Sequence, residues 1–265
     1  MTVTISAGAL DRAIHALRAA GCVFAEDEAA LLGRAATDES TLTAMVERRA
    51  RGEPLEQVVG FADFCGVRVD LRPGVFVPRV RSELLVHLGA YAAQARLATD
   101  RATAIVVDLC CGSGALGLAV RAQAPRSSVY AADSDPVAVA CARDNLGGHV
   151  YQGDLFTPLP PRLRGRVDVL LANVPYVATP HIPLLPAEAR DHEPLAALDG
   201  GPDGLDVFRR VVEEAPVWLA SGGVLLSEIT EAQIGAASAA VKRAGLRVEV
   251  AHDDDREATV ILGHR

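Results

Sequence analysis

Leu10, Ile14 and Leu17 recur at helical spacing behind Ser6, a residue able to cap a helix, and the pattern stops at Gly21. A second helix is expected over about Glu26 to Ala36, and a third from Asp38 or Ser40 through Leu42, Met45 and Val46 toward Gly52, before Pro54 ends the pattern. The period then changes. Val67, Val69 and Leu71 alternate before Pro73-Gly74, a strong turn dipeptide, and Val75-Phe76-Val77 reads as strand, so this stretch predicts a hairpin. From Ser82 onward helix and strand alternate: a helix over SELLVHLGAYAAQA, the apolar strand AIVVDL (104–109), a helix near 115–124, the strand SVYAAD, a helix from Pro136 to about Asn145, and a short strand near Val150. VDVLLA (167–172), a long Pro-rich loop, a helix near 205–219, the strand GGVLLSEI, another helix and strands around LRVEV and ATVILG complete the chain. Continuous Val/Leu-rich strands between helices indicate a mainly parallel sheet covered on both faces. The last two strands are joined only by HDDDRE, too short for a helical crossover, so they must pair antiparallel.

The 265 residues are 50 % hydrophobic and 23 % charged, ample for a buried core and unlike a disordered chain. No apolar run approaches the ~18 to 20 residues of a membrane span. The N-terminus carries Asp11, Arg12 and Arg18 where a signal peptide needs an apolar stretch, so no membrane association and a cytoplasmic location are expected. A net charge of −8 disfavours stable nucleic-acid binding. The five cysteines include no C-x-x-C pair, which suggests free thiols in a reducing compartment and no metal site.

The strongest chemical feature is VVDLCCGSGALGLAV (106–120). Gly112, Gly114 and Gly117 satisfy G-x-G-x-x-G at a strand–helix junction, and Asp133 ends the next strand. The glycines let the backbone turn and admit a ligand closely, while the distal acid can accept bonds from both ribose hydroxyls. This pattern suits either a dinucleotide or S-adenosylmethionine. Asp108 tilts the choice to the latter, since a carboxylate at the mouth of the loop can meet a positive amino group but would repel a pyrophosphate. The plainer alternatives are that Asp108 and Asp133 cap neighbouring helices, that the glycines only shape the turn, and that Cys110 and Cys111 are small packing residues.

Where VDVLLA ends, the chain reads Asn173-Val174-Pro175-Tyr176. Ligands of open parallel sheets bind beyond the carboxyl ends of the strands, so this tetrapeptide shares a rim with the glycine loop. The Asn173 side-chain oxygen and the Val174 carbonyl could each accept one hydrogen from a substrate NH2 group, aiming the nitrogen at an electrophile. Pro175 would stiffen the loop and Tyr176 would pack against a planar group. The alternative is an ordinary strand-to-loop turn, which Asn and Pro favour by themselves.

On these residues the chain resembles the HemK/PrmC family of protein-(glutamine-N5) methyltransferases. EPLEQVVGFADFCGVRVDLRPGVFVPR is similar to the family's linker and hairpin, DLCCGSGALGLAV to its cofactor loop, and RDHEPLAALDGGPDGLDVFRRVV to its segment after the NPPY motif. The resemblance implies a class I, Rossmann-like α/β methyltransferase fold, with a seven-stranded, mostly parallel sheet whose last strand is antiparallel. It also implies a helical substrate-recognition domain (1–62), a β-hairpin linker (63–81) and a methyltransferase domain (82–265). S-adenosylmethionine would be the cofactor, and a protein, the Gly-Gly-Gln motif of a peptide-chain release factor, the acceptor. By position, Asp108, Cys110, Cys111, Gly112, Ser113, Gly114, Asp133 and Asn173 would bind cofactor, with Asp154 near the adenine, and Asn173, Val174, Pro175 and Tyr176 would hold the glutamine amide.

Three departures stand out. Val174 replaces the first proline of NPPY, Cys110 stands where the family has glycine, and Val80-Arg81-Ser82-Glu83 replaces Pro-Glu-Thr-Glu. The other readings are a methyltransferase of the same fold acting on an amino group of a nucleic acid or small metabolite, a NAD-dependent dehydrogenase, and a silent cofactor-binding protein. The six carboxylates between Glu188 and Asp206, beside the single Arg190, suggest an acceptor with a neutral or basic contact surface.

Overall fold

The structure is a computed structural model describing residues 5–99 and 102–265. Helices α1 (Ala7–Ala19), α2 (Ala25–Ala35), α3 (Glu39–Ala50) and α4 (Leu55–Val59) open the chain. Their ends follow local chemistry: Ser6 Oγ accepts from Ala9 N–H and Asp38 Oδ1 from Thr41 N–H, satisfying otherwise orphaned donors. Leu17, Leu32, Leu42, Met45 and Val46 meet in a core of their own. Arg49, nearly buried, clamps this bundle by donating to Glu28 at 2.7 Å, and also reaches Glu188 at 3.4 Å.

A two-stranded hairpin follows, β1 (Phe61–Phe64) against β2 (Val67–Asp70). Its turn is Cys65-Gly66 and not Pro73-Gly74, and Val75–Val77 forms no strand. Tight two-residue hairpins favour positive φ at both turn residues, and Cys65 (φ 48°) and Gly66 (φ 82°) supply it. Residues 74–79 instead run as an extended strap whose backbone is tied by side chains. Gln57 Nε2 donates to the Val75 carbonyl (2.9 Å), and Val77 N–H donates to Glu193 Oε1 (3.3 Å).

After α5 (Glu83–Leu97) come β3 (Ala104–Leu109), α6 (Ala115–Gln123), β4 (Ser127–Asp133), α7 (Pro136–Leu146), β5 (Val150–Gln152) and β6 (Val167–Ala172). Short helices α8 (Ala187–His192) and α9 (Leu195–Leu198) precede α10 (Asp206–Trp218), β7 (Leu219–Ile229), α11 (Ile234–Arg243), β8 (Arg247–Asp253) and β9 (Ala258–His264). The sheet order is β5-β4-β3-β6-β7-β9-β8, with β9 antiparallel to both neighbours. Strand β7 begins three residues earlier than its sequence pattern implied, the extra residues absorbed by a register shift against β6.

Alternate residues of the central strands feed two cores: Val107, Leu109, Leu170 and Ala172 one face, Val106, Val169 and Leu171 the other. Chain order reverses at β3, which has β4 on one side and β6 on the other, and the register Leu109↔Ala172 aligns the ends of β3 and β6. That reversal opens a crevice at the carboxyl edge between the two strand ends.

Candidate functional site

The loop leaving β3 turns through left-handed backbone at Cys110 (φ 53°), Gly112 (φ 54°) and Gly114 (φ 78°) before α6 begins. Gly117 is needed for a different reason. A Cβ there would lie 2.8 Å from Val129 Cγ1 and 3.1 Å from Asp108 Oδ2, so only glycine lets α6 settle onto β3 and β4. Its N–H donates to Asp108 Oδ2 at 2.9 Å. Asp108 is wholly buried and its Oδ1 has no partner. Burial pushes its pKa up to about 8, against the lowering bond from Gly117 and with help from the charge of Asp133.

Asp133 closes the other side of the loop. Its Oδ2 accepts from Gly112 N–H (2.9 Å) and its Oδ1 from Asp135 N–H (3.0 Å), while burial raises its pKa against those two bonds. A cavity opens in front of it. Cys110, Cys111, Gly112, Ser113 and Asp133 line one side, Asn173, Val174, Pro175 and Tyr176 the other, and Phe76, Pro78, Pro194 and Ala197 close it over. Three residues expected at the site do not line this cavity: Asp108 lies behind the loop and not at its mouth, Gly114 caps the start of α6, and Asp154 is exposed and bound to Arg210.

At the end of β6, Asn173 Nδ2 donates to Ser82 Oγ (3.2 Å), leaving Oδ1 buried without a partner. Ser82 in turn donates to Glu228 Oε2 (2.6 Å), and Tyr176 donates its hydroxyl to Glu228 Oε1 (2.5 Å). Arg81 Nε lies 3.0 Å from the same Oε1, its guanidinium over the Tyr176 ring. Burial, reinforced by the Glu228 charge, raises the Tyr176 pKa far above its usual value, so this phenol remains a neutral donor. The backbone of the tetrapeptide is braced from behind: Gln233 Nε2 donates to the Tyr176 carbonyl (2.9 Å), and a Cβ on Gly204 would collide with that oxygen at 2.2 Å.

Ser82, Glu228 and Gln233 are the site residues that sequence reasoning missed. Glu228 had a readable signal, being a carboxylate at the carboxyl end of an otherwise apolar central strand, on the rim where ligands bind. The acidic run beyond the tetrapeptide is largely paired. Glu188 pairs with Arg49, Asp191 with Arg190, Glu193 with Arg79, and Asp203 and Asp206 with Arg209, while Asp199 accepts from Thr179 and Gly201. Glu188 and Glu193 tie the segment over the cavity to Arg49 and Arg79, while Asp191, Asp203 and Asp206 stay exposed in local pairs. Glu193 is the buried anchor, its pKa raised by burial against the lowering charge of Arg79.

The methyltransferase small domain family matches residues 72–183. A release factor glutamine methyltransferase from Thermodesulfovibrio yellowstonii is 32 % identical over 220 residues, covering 80 % of this chain and 77 % of that one. This chain belongs to the release factor glutamine methyltransferase family. A member of that family from Geobacter sulfurreducens is 36 % identical over 70 % of this chain, and the match spans 63 % of that relative's own length, under two thirds. A 4-amino-L-phenylalanine/4-methylamino-L-phenylalanine methyltransferase from Streptomyces pristinaespiralis is 34 % identical, covering 76 % of this chain and 69 % of that one. Among solved structures, a methyltransferase from Pyrococcus furiosus superimposes with a TM-score of 0.55 at 14 % identity, covering 75 % of this chain and 89 % of that one. The family and the sheet order together make this a class I methyltransferase fold. No helix among the described residues is long and apolar enough to cross a membrane.

Proposed function

We propose that this chain transfers the methyl group of S-adenosylmethionine to the side-chain amide nitrogen of a glutamine in a protein, the acceptor class of its release factor glutamine methyltransferase relatives. One observation carries the reading. On the wall facing the glycine loop, Asn173 Oδ1 is buried with no hydrogen-bond partner, beside the Val174 carbonyl. An open buried acceptor costs about 1 to 3 kcal/mol, and a bound N–H donor recovers it.

The residues present suit the cofactor on two counts. Each oxygen of Asp133 has taken a single backbone donor and retains a lone pair for a ribose hydroxyl. Asp108, kept protonated by burial, holds the loop from behind through Gly117 N–H, and a positive charge bound over the loop would favour its ionised form. The proposed binding set is therefore Cys110, Cys111, Gly112, Ser113 and Asp133, with Asp108 and Gly114 shaping the loop behind them. Asp154 would reach the adenine end only by exchanging Arg210 for the ligand.

When bound, S-adenosylmethionine supplies a methyl group on positively charged sulfur, an electrophile that needs no metal or base to activate it. The chain's own task is to hold a poor nucleophile still. Asn173 Oδ1 and the Val174 carbonyl each take one hydrogen of the acceptor NH2, leaving the remaining electron density of the nitrogen directed away from both. Pro175 limits motion of the loop, and Tyr176, fixed by Glu228, packs against the planar amide. The apolar cover from Phe76, Pro78 and Ala197 keeps water away, which favours a step that discharges a cation. The transferred methyl replaces one amide proton, which leaves to solvent because carbonyl oxygens are too weakly basic to keep it. In this reading residues 1–62 hold the acceptor protein, 63–81 join the two parts, and 82–265 carry out the transfer.

The test is incubation with methyl-labelled S-adenosylmethionine and a release-factor domain bearing Gly-Gly-Gln, followed by mass spectrometry. One methyl group on that glutamine, and none on the Gln→Ala acceptor, is the expected result. A second reading, a small aromatic amine as acceptor, is favoured by the Streptomyces pristinaespiralis relative. Label on 4-amino-L-phenylalanine and none on the protein acceptor would install that reading instead.

A further inference from the structure

We infer that Glu228 and Ser82 form a positioning relay that decides which end of the Asn173 amide faces the acceptor. The inference rests on the glutamine-methylation reading for its consequence, while its geometry stands without it. A side-chain amide turned over by half a rotation keeps its shape and exchanges an acceptor for a donor. With Oδ1 toward the cavity, Asn173 receives an N–H; with Nδ2 there, it opposes one. Something must choose between these two states.

The choice follows from counting hydrogens. Glu228 is 3 % exposed in its side chain and stands at the end of β7. Its ionised carboxylate can only accept, and it does so from Ser82 at 2.6 Å, from Tyr176 at 2.5 Å, and from Arg81 at 3.0 Å. Ser82 has one hydroxyl hydrogen and spends it on Glu228. Toward Asn173 it therefore presents only lone pairs, so the group facing it at 3.2 Å must be Nδ2. Oδ1 is left on the opposite side, where it is buried and unpartnered. A negative charge on one strand thus sets the polarity of an amide on another through one hydroxyl. A bond from Asn173 to a residue able to donate as well as accept would leave both orientations populated. Ser82 and Glu228 act through Asn173.

The relay makes a specific demand on acceptors. A glutamine side chain offers hydrogens to Oδ1, whereas a glutamate of the same shape offers lone pairs and meets repulsion. Breaking the relay frees Asn173 to turn, which weakens the first interaction and relieves the second. The experiment compares wild type, Ser82→Ala and Ser82→Thr. It measures kcat/KM with the Gly-Gly-Gln release-factor domain and inhibition by the same domain with glutamate in place of that glutamine, with calorimetry of S-adenosylhomocysteine to establish an intact fold. We expect S82A to lose about tenfold in kcat/KM while the glutamate form inhibits at least about threefold more tightly, and S82T, which keeps the hydroxyl, to stay within about twofold on both. Loss of transfer with no gain for the glutamate form, or S82T falling as far as S82A, would assign Ser82 a packing role and overturn the relay.

A second readout needs no acceptor. Proton exchange at Asn173 Nδ2, followed by nitrogen-15 spectra, should be slow in wild type and fast in S82A. Wild type that leaves glutamine unmethylated while the exchange changes as expected refutes the proposed function and upholds the relay. Wild type that methylates glutamine while exchange is the same in S82A refutes the relay alone.

Discussion

The two walls of the cavity are built on different principles. On the glycine-loop wall the contacts are local: Cys110 through Gly114 are consecutive, Gly117 is one helical turn further on, and Asp133 ends the adjacent strand. Backbone conformation and backbone N–H groups do most of the holding there. The Asn173 wall is assembled from afar, since side-chain hydrogen bonds join positions 91 and 146 residues apart and Gln233 braces the Tyr176 carbonyl from 57 residues away. A wall made of backbone suits a ligand that is always the same, because it tolerates little change. A wall made of side chains can alter its acceptor with few substitutions, and the departures Val174 and Ser82 fall on that wall, while Cys110 falls on the other.

If the walls are as separate as this suggests, damage to one should spare the other. Asn173→Ala should lower methyl transfer by about 10²- to 10³-fold, the scale of losing a group that orients the reacting atoms, while S-adenosylhomocysteine binds within about twofold of wild type. A parallel loss of ligand affinity would break the comparison. The reverse case is a pH effect confined to the loop wall. Asp108 holds its proton up to about pH 8 in the ligand-free chain. A cationic amino group binds the ionised form, so affinity for S-adenosylhomocysteine should rise by up to about tenfold per pH unit toward 8 and then level off. Titration calorimetry of wild type against Asp108→Asn checks it, the variant showing a flat profile. The same raised pKa bears on stability. Between about pH 4, where the unfolded carboxyl ionises, and about pH 8, the folded chain binds the extra proton, so without ligand stability falls as pH rises through that window.

Smaller effects grade the loop wall itself. Gly117→Ala forces its Cβ against Val129 and Asp108, and should cost about 1 to 3 kcal/mol in chemical denaturation, with weaker binding of S-adenosylhomocysteine. Cys110→Gly should stabilise by about 1 kcal/mol in the same measurement, because a residue with a side chain now occupies left-handed backbone there. A loss of stability on that change would mean that the Cys110 side chain contributes packing worth more than the strain it carries.

Legibility in the sequence followed the range of the interactions. The cap Ser6, the strands AIVVDL and VDVLLA, and the antiparallel closing pair are readable, because caps, alternation and loop length act between near neighbours. The hairpin was readable but its turn was misplaced. Pro73-Gly74 is the stronger turn dipeptide in isolation, whereas pairing of Phe61–Phe64 with Val67–Asp70 selects Cys65-Gly66. Asp108 was recognised as a loop acid and set at the wrong depth, since strand alternation turns its side chain to the face that α6 covers.

By itself the sequence determined the order of the main strands and helices from α5 onward, the glycine loop, and the tetrapeptide that ends β6. Each of those is a property of a short window and its hydrophobic period. Tertiary structure alone decided that Ser82 and Glu228 meet Asn173, that Glu188 and Glu193 pair with Arg49 and Arg79, and that Asp154 stands outside the cavity. The reason is that a hydrogen-bond partner is chosen by position in space. Only the side-by-side packing of β3, β6 and β7 brings segments so far apart in the chain to a common rim.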